Sequence, residues 1–274
     1  EILTSMKEAG CVSVYYGIES GSESILKIME KGSTVELNLN AIQATQQAGL
    51  FTIIQLVVGM PGESNETIGE TIEFLKKCLE FYKDDFKLLL SINYAQALPG
   101  TPLYEYGRNC GSIGKTLDGE EAYLLEISDL DAADGRHYHN VSQESLPDVL
   151  TWLDRIKMET NIYYHFDLGM PFSWTDDGYE DVKYKRGDYF RLSSSNPIFV
   201  ITTKYFAPVI FPLLQIIRLY QKTGSLWGSL KILNQERSFS AEKLPIRSLR
   251  KTMRQLNNET PVPVSSFQSL RDGR

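Results

Sequence analysis

Between residues 11 and 97 the chain alternates short apolar runs with longer segments whose apolar residues recur every three or four positions. The runs are CVSVYYGI (11–18), FTIIQLVVG (51–59) and FKLLLSINYAQA (86–97). Rich in β-branched and aromatic residues and bounded by Gly-containing turns, they predict buried strands. Helical spacing fills the intervals: residues 1–10, SESILKIMEKG (22–32), STVELNLNAIQATQQAG (33–49) and ETIGETIEFLKKCLEFY (66–82). Ser22 reads as the cap of one helix, Ser33 with Glu36 as the capping box of the next, and Gly32 and Gly49 as their stops.

Strands apolar on both faces that alternate with helices of this length predict an α/β fold with a parallel sheet covered on both sides. In such folds all strand C-termini point the same way, and ligands bind there. The segments GIES (17–20), VGMPGE (58–63) and AQALPGTP (95–102) are therefore expected to share one mouth.

Beyond Tyr106 the alternation stops. Residues 107–140 read as Gly- and Asp-rich loop with one helical turn, and residues 142–166 as a long amphipathic helix capped by Ser142. Residues 167–196 read as weakly structured loop. Residues 196–220 form the most apolar stretch, interrupted by Lys204 and Arg218 and kinked by Pro208 and Pro212. Its uncharged part, 205–217, is too short to span a bilayer, so a buried or groove-filling helix is expected ahead of a membrane-surface one. From about Glu236 the chain turns basic and reads as a peripheral, partly disordered tail. The expected organisation is thus 1–107, 108–195, 196–235 and 236–274.

Composition narrows the chemistry. A formal net charge of −7 argues against a nucleic-acid partner. Cys11, Cys78 and Cys110 are widely spaced and odd in number, which fits reduced cytoplasmic thiols better than a disulfide framework or a local zinc site. The chain begins with Glu1 rather than Met, and we read it as a piece of something longer.

The candidate groups sit at the predicted mouth. Glu19 ends the first strand, where its carboxylate can accept two hydrogen bonds from a diol or amine; the alternative is a helix cap or a lysine partner. Gly17 and Gly21 would let a ligand approach the backbone. Glu63 is expected to bond the N-terminus of the helix it introduces. His137 and His139 alternate as on a strand, yet no Cys or acidic pair completes a metal set. His165, beside aromatics, reads as structural.

Three phrases in fixed order, LTSMKEAGCVSVYYGIESGSESILKIMEKGST (3–34), AIQATQQAGLFTIIQLVVGMPGESNETIGETIEFLKK (41–77) and AQALPGTPLYEYG (95–107), resemble the second half of a radical S-adenosylmethionine (radical SAM) enzyme. The likeness is to the branch whose members often carry an N-terminal cobalamin-binding domain. It implies the C-terminal half of a partial (β/α)6 TIM-like barrel, strands four to six, followed by a mainly helical extension. It also implies S-adenosylmethionine as cofactor, cleaved reductively at a four-iron four-sulfur cluster to start radical chemistry, with cobalamin as a further cofactor candidate. A small-molecule substrate and an external electron donor such as flavodoxin or ferredoxin would be the partners.

By this resemblance Glu19 and Ser20 lie at the ribose and methionine part of the cofactor, with Gly17 beside them as a further cofactor-binding candidate, and Val57, Val58, Gly59, Ala97 and Leu98 flank the adenine. The fifth-strand pattern Gly-x-Ile-x-Gly-x-x-Glu is partly met: Gln55 stands for the first Gly, Val57 for the Ile, and Glu63 lies one residue late. No Cys-x-x-x-Cys-x-x-Cys occurs in the chain, so the cluster ligands are expected upstream. Two rival readings remain: a cluster-free α/β barrel enzyme, and a non-catalytic module that docks to a partner or membrane through 196–220.

Overall fold

The computed structural model describes residues 1–82, 88–114, 116–128, 135–172, 189–191 and 197–236. Residues 237–274, where the basic tail was expected, lie outside the described residues, as does most of 173–196.

After helix α1 (Ile2–Glu8) come β1 (Ser13–Glu19), α2 (Glu23–Ile28), α3 (Val35–Gln47), β2 (Phe51–Val58), α4 (Asn65–Phe81) and β3 (Leu88–Tyr94). β1 pairs with β2 and β2 with β3, both in parallel, so their C-terminal ends lie on one side. The extension then contributes α5 (Pro102–Cys110), α6 (Leu117–Ser128), a 3-10 turn (Gly135–His137), α7 (Leu146–Ile162) with a π-helical turn after it (Tyr163–Asp167), β4 (Tyr189–Arg191), α8 (Pro197–Thr223) and α9 (Leu226–Glu236). β4 pairs antiparallel with β3, giving the sheet order β1-β2-β3-β4.

The alternation of side chains along a strand sorts the sheet into two faces. Ile54, Leu56 and Val58 of β2 and Leu90, Ile92 and Tyr94 of β3 enter the main core. There they meet Ile42 of α3, Ile68 and Ile72 of α4, and Val149 and Trp152 of α7. Every one of these aliphatic side chains is almost wholly withdrawn from water, each worth roughly 1.5–3 kcal/mol. The other face carries Tyr15, Gly17, Gln55, Val57, Ser91 and Asn93, with Gly17, Gln55 and Ser91 in one cross-strand row. The expectation of strands apolar on both faces is corrected here: the second face is partly polar and at Tyr15 and Gly17 open to solvent.

Helix starts are set by local side-chain bonds. Ser64 and Thr67 form a reciprocal capping box on α4, and that helix buries Ile68, Ile72, Leu75 and Leu79, a stripe at helical spacing. Thr101 caps α5, with Pro102 at the first helical position. Two expected caps move, and a third bonds differently. On α3 the cap is Thr34, whose hydroxyl accepts from the Leu37 amide at 3.1 Å, because the chain is already helical one residue later than Ser33 with Glu36 would require. On α7 the capping hydroxyl belongs to Ser145, two residues before Pro147, while Ser142 bonds within the preceding loop. Ser22 does stand at the N-cap of α2, but its hydroxyl meets Ser24 instead of a backbone amide.

Two further expectations are corrected. The segment read as loop with one helical turn contains the twelve-residue α6. The described part of the apolar stretch, within α8, is neither a buried nor a groove-filling helix: only Pro197, Val200, Thr203 and Leu219 are buried. Its backbone departs from helical values at Phe206 (φ −122°), two residues before Pro208, and the helix continues through Pro212. Among the described residues α8 is the one helix long and apolar enough to cross a membrane by length and composition.

Candidate functional site

β1 ends on a bulge: Gly17 pairs with Gln55, yet Glu19 pairs with the next residue, Leu56. Glu19 has φ +66°, a left-handed conformation that costs a non-glycine residue about 1 kcal/mol and gathers at functional positions. Its carboxylate meets Lys31 Nζ at 2.7 Å and keeps 22% of its surface in contact with solvent. A Cβ at Gly17 would lie 2.9 Å from that carboxylate and 3.2 Å from the ammonium, so glycine there leaves room for the pair. The lysine partner considered from sequence is thus real, and it still leaves the carboxylate accessible.

Ser20 turns away from the mouth. It is buried, its hydroxyl 3.3 Å from Thr71 Oγ1 and accepting from the Ser22 amide. Gly21 also faces inward: a Cβ there would meet Thr71 Cα and Phe74 Cβ at 2.6 Å. Its smallness serves the approach of α4, which corrects the expectation of a ligand at Gly21.

At the end of β2, Val57 is half-buried and Val58 buried, and Gly59 turns the chain with φ +89°. Glu63 reaches back into this turn instead of forward to the helix. Its carboxylate accepts from the Gly59 amide at 2.6 Å and the Met60 amide at 3.1 Å. Burial pushes its pKa up to about 7, with the two amides pulling it the other way. The expected bond to the helix N-terminus is therefore corrected: Ser64 and Thr67 already satisfy that end.

β3 delivers Ala97, buried, and Leu98, half of whose surface is open. The two strand ends are tied together by the Ala95 amide, which donates to the Val58 carbonyl at 2.8 Å. Two tyrosines of the extension hold the same ends from behind. Tyr138 donates to the Gly59 carbonyl and Tyr123 to the Ala97 carbonyl, each at 2.8 Å. Both phenols are pushed up by burial.

Beside Ala97 a small cavity is lined by Gln96, Tyr123, His137 and His139 among others. His137 lies on the 3-10 turn, not on a strand, so the predicted alternation is corrected. Both rings face one carboxylate, Glu126: His139 Nε2 at 3.2 Å and His137 Nδ1 at 3.8 Å. Among the described residues no group of three or more His, Cys, Asp or Glu is placed to hold a metal. Cys78 is buried, with its thiol pushed up by desolvation, while Cys11 is half-buried and Cys110 exposed. His165 bonds the Met170 carbonyl through Nδ1 and stacks on Phe172, consistent with a structural role.

Sequence reasoning noted Gln55 only as a departure from the fifth-strand pattern and passed over Asn93, though each breaks the apolar run of its strand at a position of the non-core face. It also passed over Tyr123 and Tyr138, for which no local pattern marks a partner 26 or 79 residues away.

Three parallel strands whose carboxyl ends lie on one side, covered by helices, define an α/β protein. Residues 1–75 match the model of the Radical SAM superfamily. Over 111 residues the chain is 36% identical to an uncharacterized methyltransferase of Pyrococcus horikoshii, covering 39% of this chain and 22% of that protein. Over 106 residues it is 31% identical to the hopanoid C-2 methylase of Rhodopseudomonas palustris, covering 38% of this chain and 19% of the relative. Over 71 residues it is 35% identical to the anaerobic magnesium-protoporphyrin IX monomethyl ester cyclase of Cereibacter sphaeroides, covering 26% and 12%. The aligned part of this chain thus spans about a fifth or less of the length of these relatives.

Proposed function

We propose that this chain supplies strands four to six of a partial (β/α)6 radical SAM barrel, together with its C-terminal extension, in an enzyme that acts on a small-molecule substrate. The observation that carries this reading is the convergence of Glu19, Gly59 and Ala97 at the ends of three parallel strands, in a chain whose residues 1–75 match the superfamily model. The donor set suits S-adenosylmethionine. Glu19, accessible beside Lys31, would accept from the ribose hydroxyls or the amino group, with Gly17 leaving the room in which the carboxylate sits. Val57, Gly59, Ala97 and Leu98 would flank the adenine, an apolar rim that also excludes water.

When bound, S-adenosylmethionine supplies, on one-electron reduction, methionine and a 5′-deoxyadenosyl radical for hydrogen abstraction. This chain's residues hold and orient it. Ser20 and Val58 act one step back: Ser20 fixes the β1 turn against Thr71, and Val58 anchors the strand end in the core. Glu63, Tyr123 and Tyr138 keep the turns from relaxing. The described residues do not fit a four-iron four-sulfur cluster, which needs several thiolates close together. Its ligands are assigned to sequence outside this chain.

The relatives include methylases and a cyclase, so methyl transfer and ring closure are the reaction classes to assay first. Cobalamin and a flavodoxin- or ferredoxin-type donor, in a cytoplasmic setting, complete the proposal. The test is anaerobic reconstitution of the complete gene product with iron and sulfide, followed by reduction with S-adenosylmethionine. Formation of 5′-deoxyadenosine is expected; a cluster-loaded protein that binds S-adenosylmethionine without cleaving it would refute the reading.

A further inference from the structure

We propose that Gln55, Ser91 and Asn93 form the patch that reads the substrate, and that the substrate meets it with an uncharged hydrogen-bonding group such as a carboxamide, carbonyl or hydroxyl. The kind of reaction rests on the radical SAM reading; the patch itself is a property of the sheet. On the face turned from the main core, three rows run across the strands. Ile53 and Leu89, each 2% exposed, make an apolar floor outside that core. Gly17, Gln55 and Ser91 form the next row, and Val57 with Asn93 the row nearest the mouth. Rows on one face are about 7 Å apart along a strand. A small molecule resting on Gln55 and Asn93 therefore reaches a cofactor held at Val57 and Gly59. Over Gly17 lies the Glu19–Lys31 pair, which bounds the patch on the β1 side.

The polar ends of this patch are idle. Several buried hydroxyls nearby are paired: Thr52, on the core side of β2, meets the Tyr82 hydroxyl, and Thr45 and Thr71 each donate to a backbone carbonyl. Ser91 is 5% exposed, and Gln55 and Asn93 are half-buried. Among the described residues none of these three side chains has a hydrogen-bond partner. Three unpaired polar ends in adjacent rows, above an apolar floor and below the proposed cofactor mouth, have the character of a ligand site, where a few placed polar groups fix orientation within apolar walls.

The side chains select the class of ligand. A carboxamide offers a carbonyl acceptor and N–H donors, and a hydroxyl likewise serves as both. Carboxylates and phosphates are instead met by Arg or Lys, and ammonium groups by Asp or Glu. β1, β2 and β3 place none of these four on this face short of Glu19, and Glu19 is engaged by Lys31 at 2.7 Å.

The test uses the complete gene product and three probes of similar size and different charge: acetamide, acetate and methylammonium. Saturation-transfer NMR should show acetamide bound. Gln55→Leu combined with Asn93→Leu should cut its signal by about threefold or more and leave those of acetate and methylammonium unchanged. Because the replaced groups have no partner, the double variant should melt at or above the temperature of the unaltered protein; a lower melt would give them a structural role and overturn the proposal. An acetamide signal that survives the double variant, or is missing from the unaltered protein, also overturns it. So does a variant-dependent acetate or methylammonium signal, which would assign the patch to a charged group. A matching loss of S-adenosylmethionine affinity in equilibrium dialysis overturns it in favour of a further cofactor contact. Formation of 5′-deoxyadenosine tests the radical SAM reading separately, so either can fail with the other intact.

Discussion

The phenol of Tyr138 donates to the carbonyl of Gly59 at 2.8 Å, and its ring fills the space a Cβ at Gly59 would need. The extension therefore sets the position of a turn that lines the proposed cofactor mouth. Tyr138→Phe keeps the ring and removes the bond. Leaving a buried carbonyl short of its donor should cost about 1–2 kcal/mol in thermal or denaturant unfolding. In the complete protein it should also weaken S-adenosylmethionine several-fold by equilibrium dialysis, with Tyr123→Phe doing the same through Ala97. A normal dissociation constant in both variants would mean that the tyrosines only stabilise the fold.

Glu63 predicts a pH dependence. Its folded pKa, about 7, lies above the ordinary 4.5 because burial disfavours the charged carboxylate. The folded state therefore binds the proton more tightly than the unfolded state. Its contribution is fully present below about pH 4.5 and is lost as pH rises through about 7, on the order of 3 kcal/mol for that shift. Glu63→Gln, which can still accept from the Gly59 and Met60 amides, should flatten the melting-temperature profile between those limits. An unchanged slope in the variant would assign the effect to other groups.

The cap of α3 distinguishes two adjacent hydroxyls. Thr34→Ala should destabilise by about 1 kcal/mol. Ser33→Ala should be neutral or slightly stabilising, because the Ser33 hydroxyl is buried without a hydrogen-bond partner. Chemical denaturation of the two variants side by side decides the matter.

Glu19 combines strain with a proposed binding role. Glu19→Gly relieves a φ of +66° while giving up a partly exposed ion pair with Lys31. The two effects oppose each other, so stability should stay within about 1 kcal/mol of the original. Affinity for S-adenosylmethionine in the complete protein should nevertheless fall by about tenfold or more, an isolated loss that calorimetry and melting would register separately.

The sheet was legible because each strand is a dense apolar run and each connecting helix has a clear 3.6-residue stripe; Ile54 to Val58 and Ile68 to Leu79 carry both signals. Local contacts that depend on one residue of register were less legible. Ser33 and Thr34 present the same capping chemistry, and only the backbone decides between them. The mouth was readable as strand ends, yet its supports were not, since Tyr123 and Tyr138 meet their carbonyls through tertiary packing. Exposure of α8 was hidden for a related reason: an apolar helix bound for a core and one bound for an outer surface are written in the same residues.

β4 runs against its neighbour β3 and takes the edge at which another parallel unit would have to join. A right-handed crossover can no longer add a strand there, whereas β1 still presents an open flank. Growth of the sheet is thus one-directional. Insertions or fusions that bring new β/α units should be tolerated before β1 and rejected after β3, which makes the three residues of β4 a terminus for the architecture as well as for the sheet.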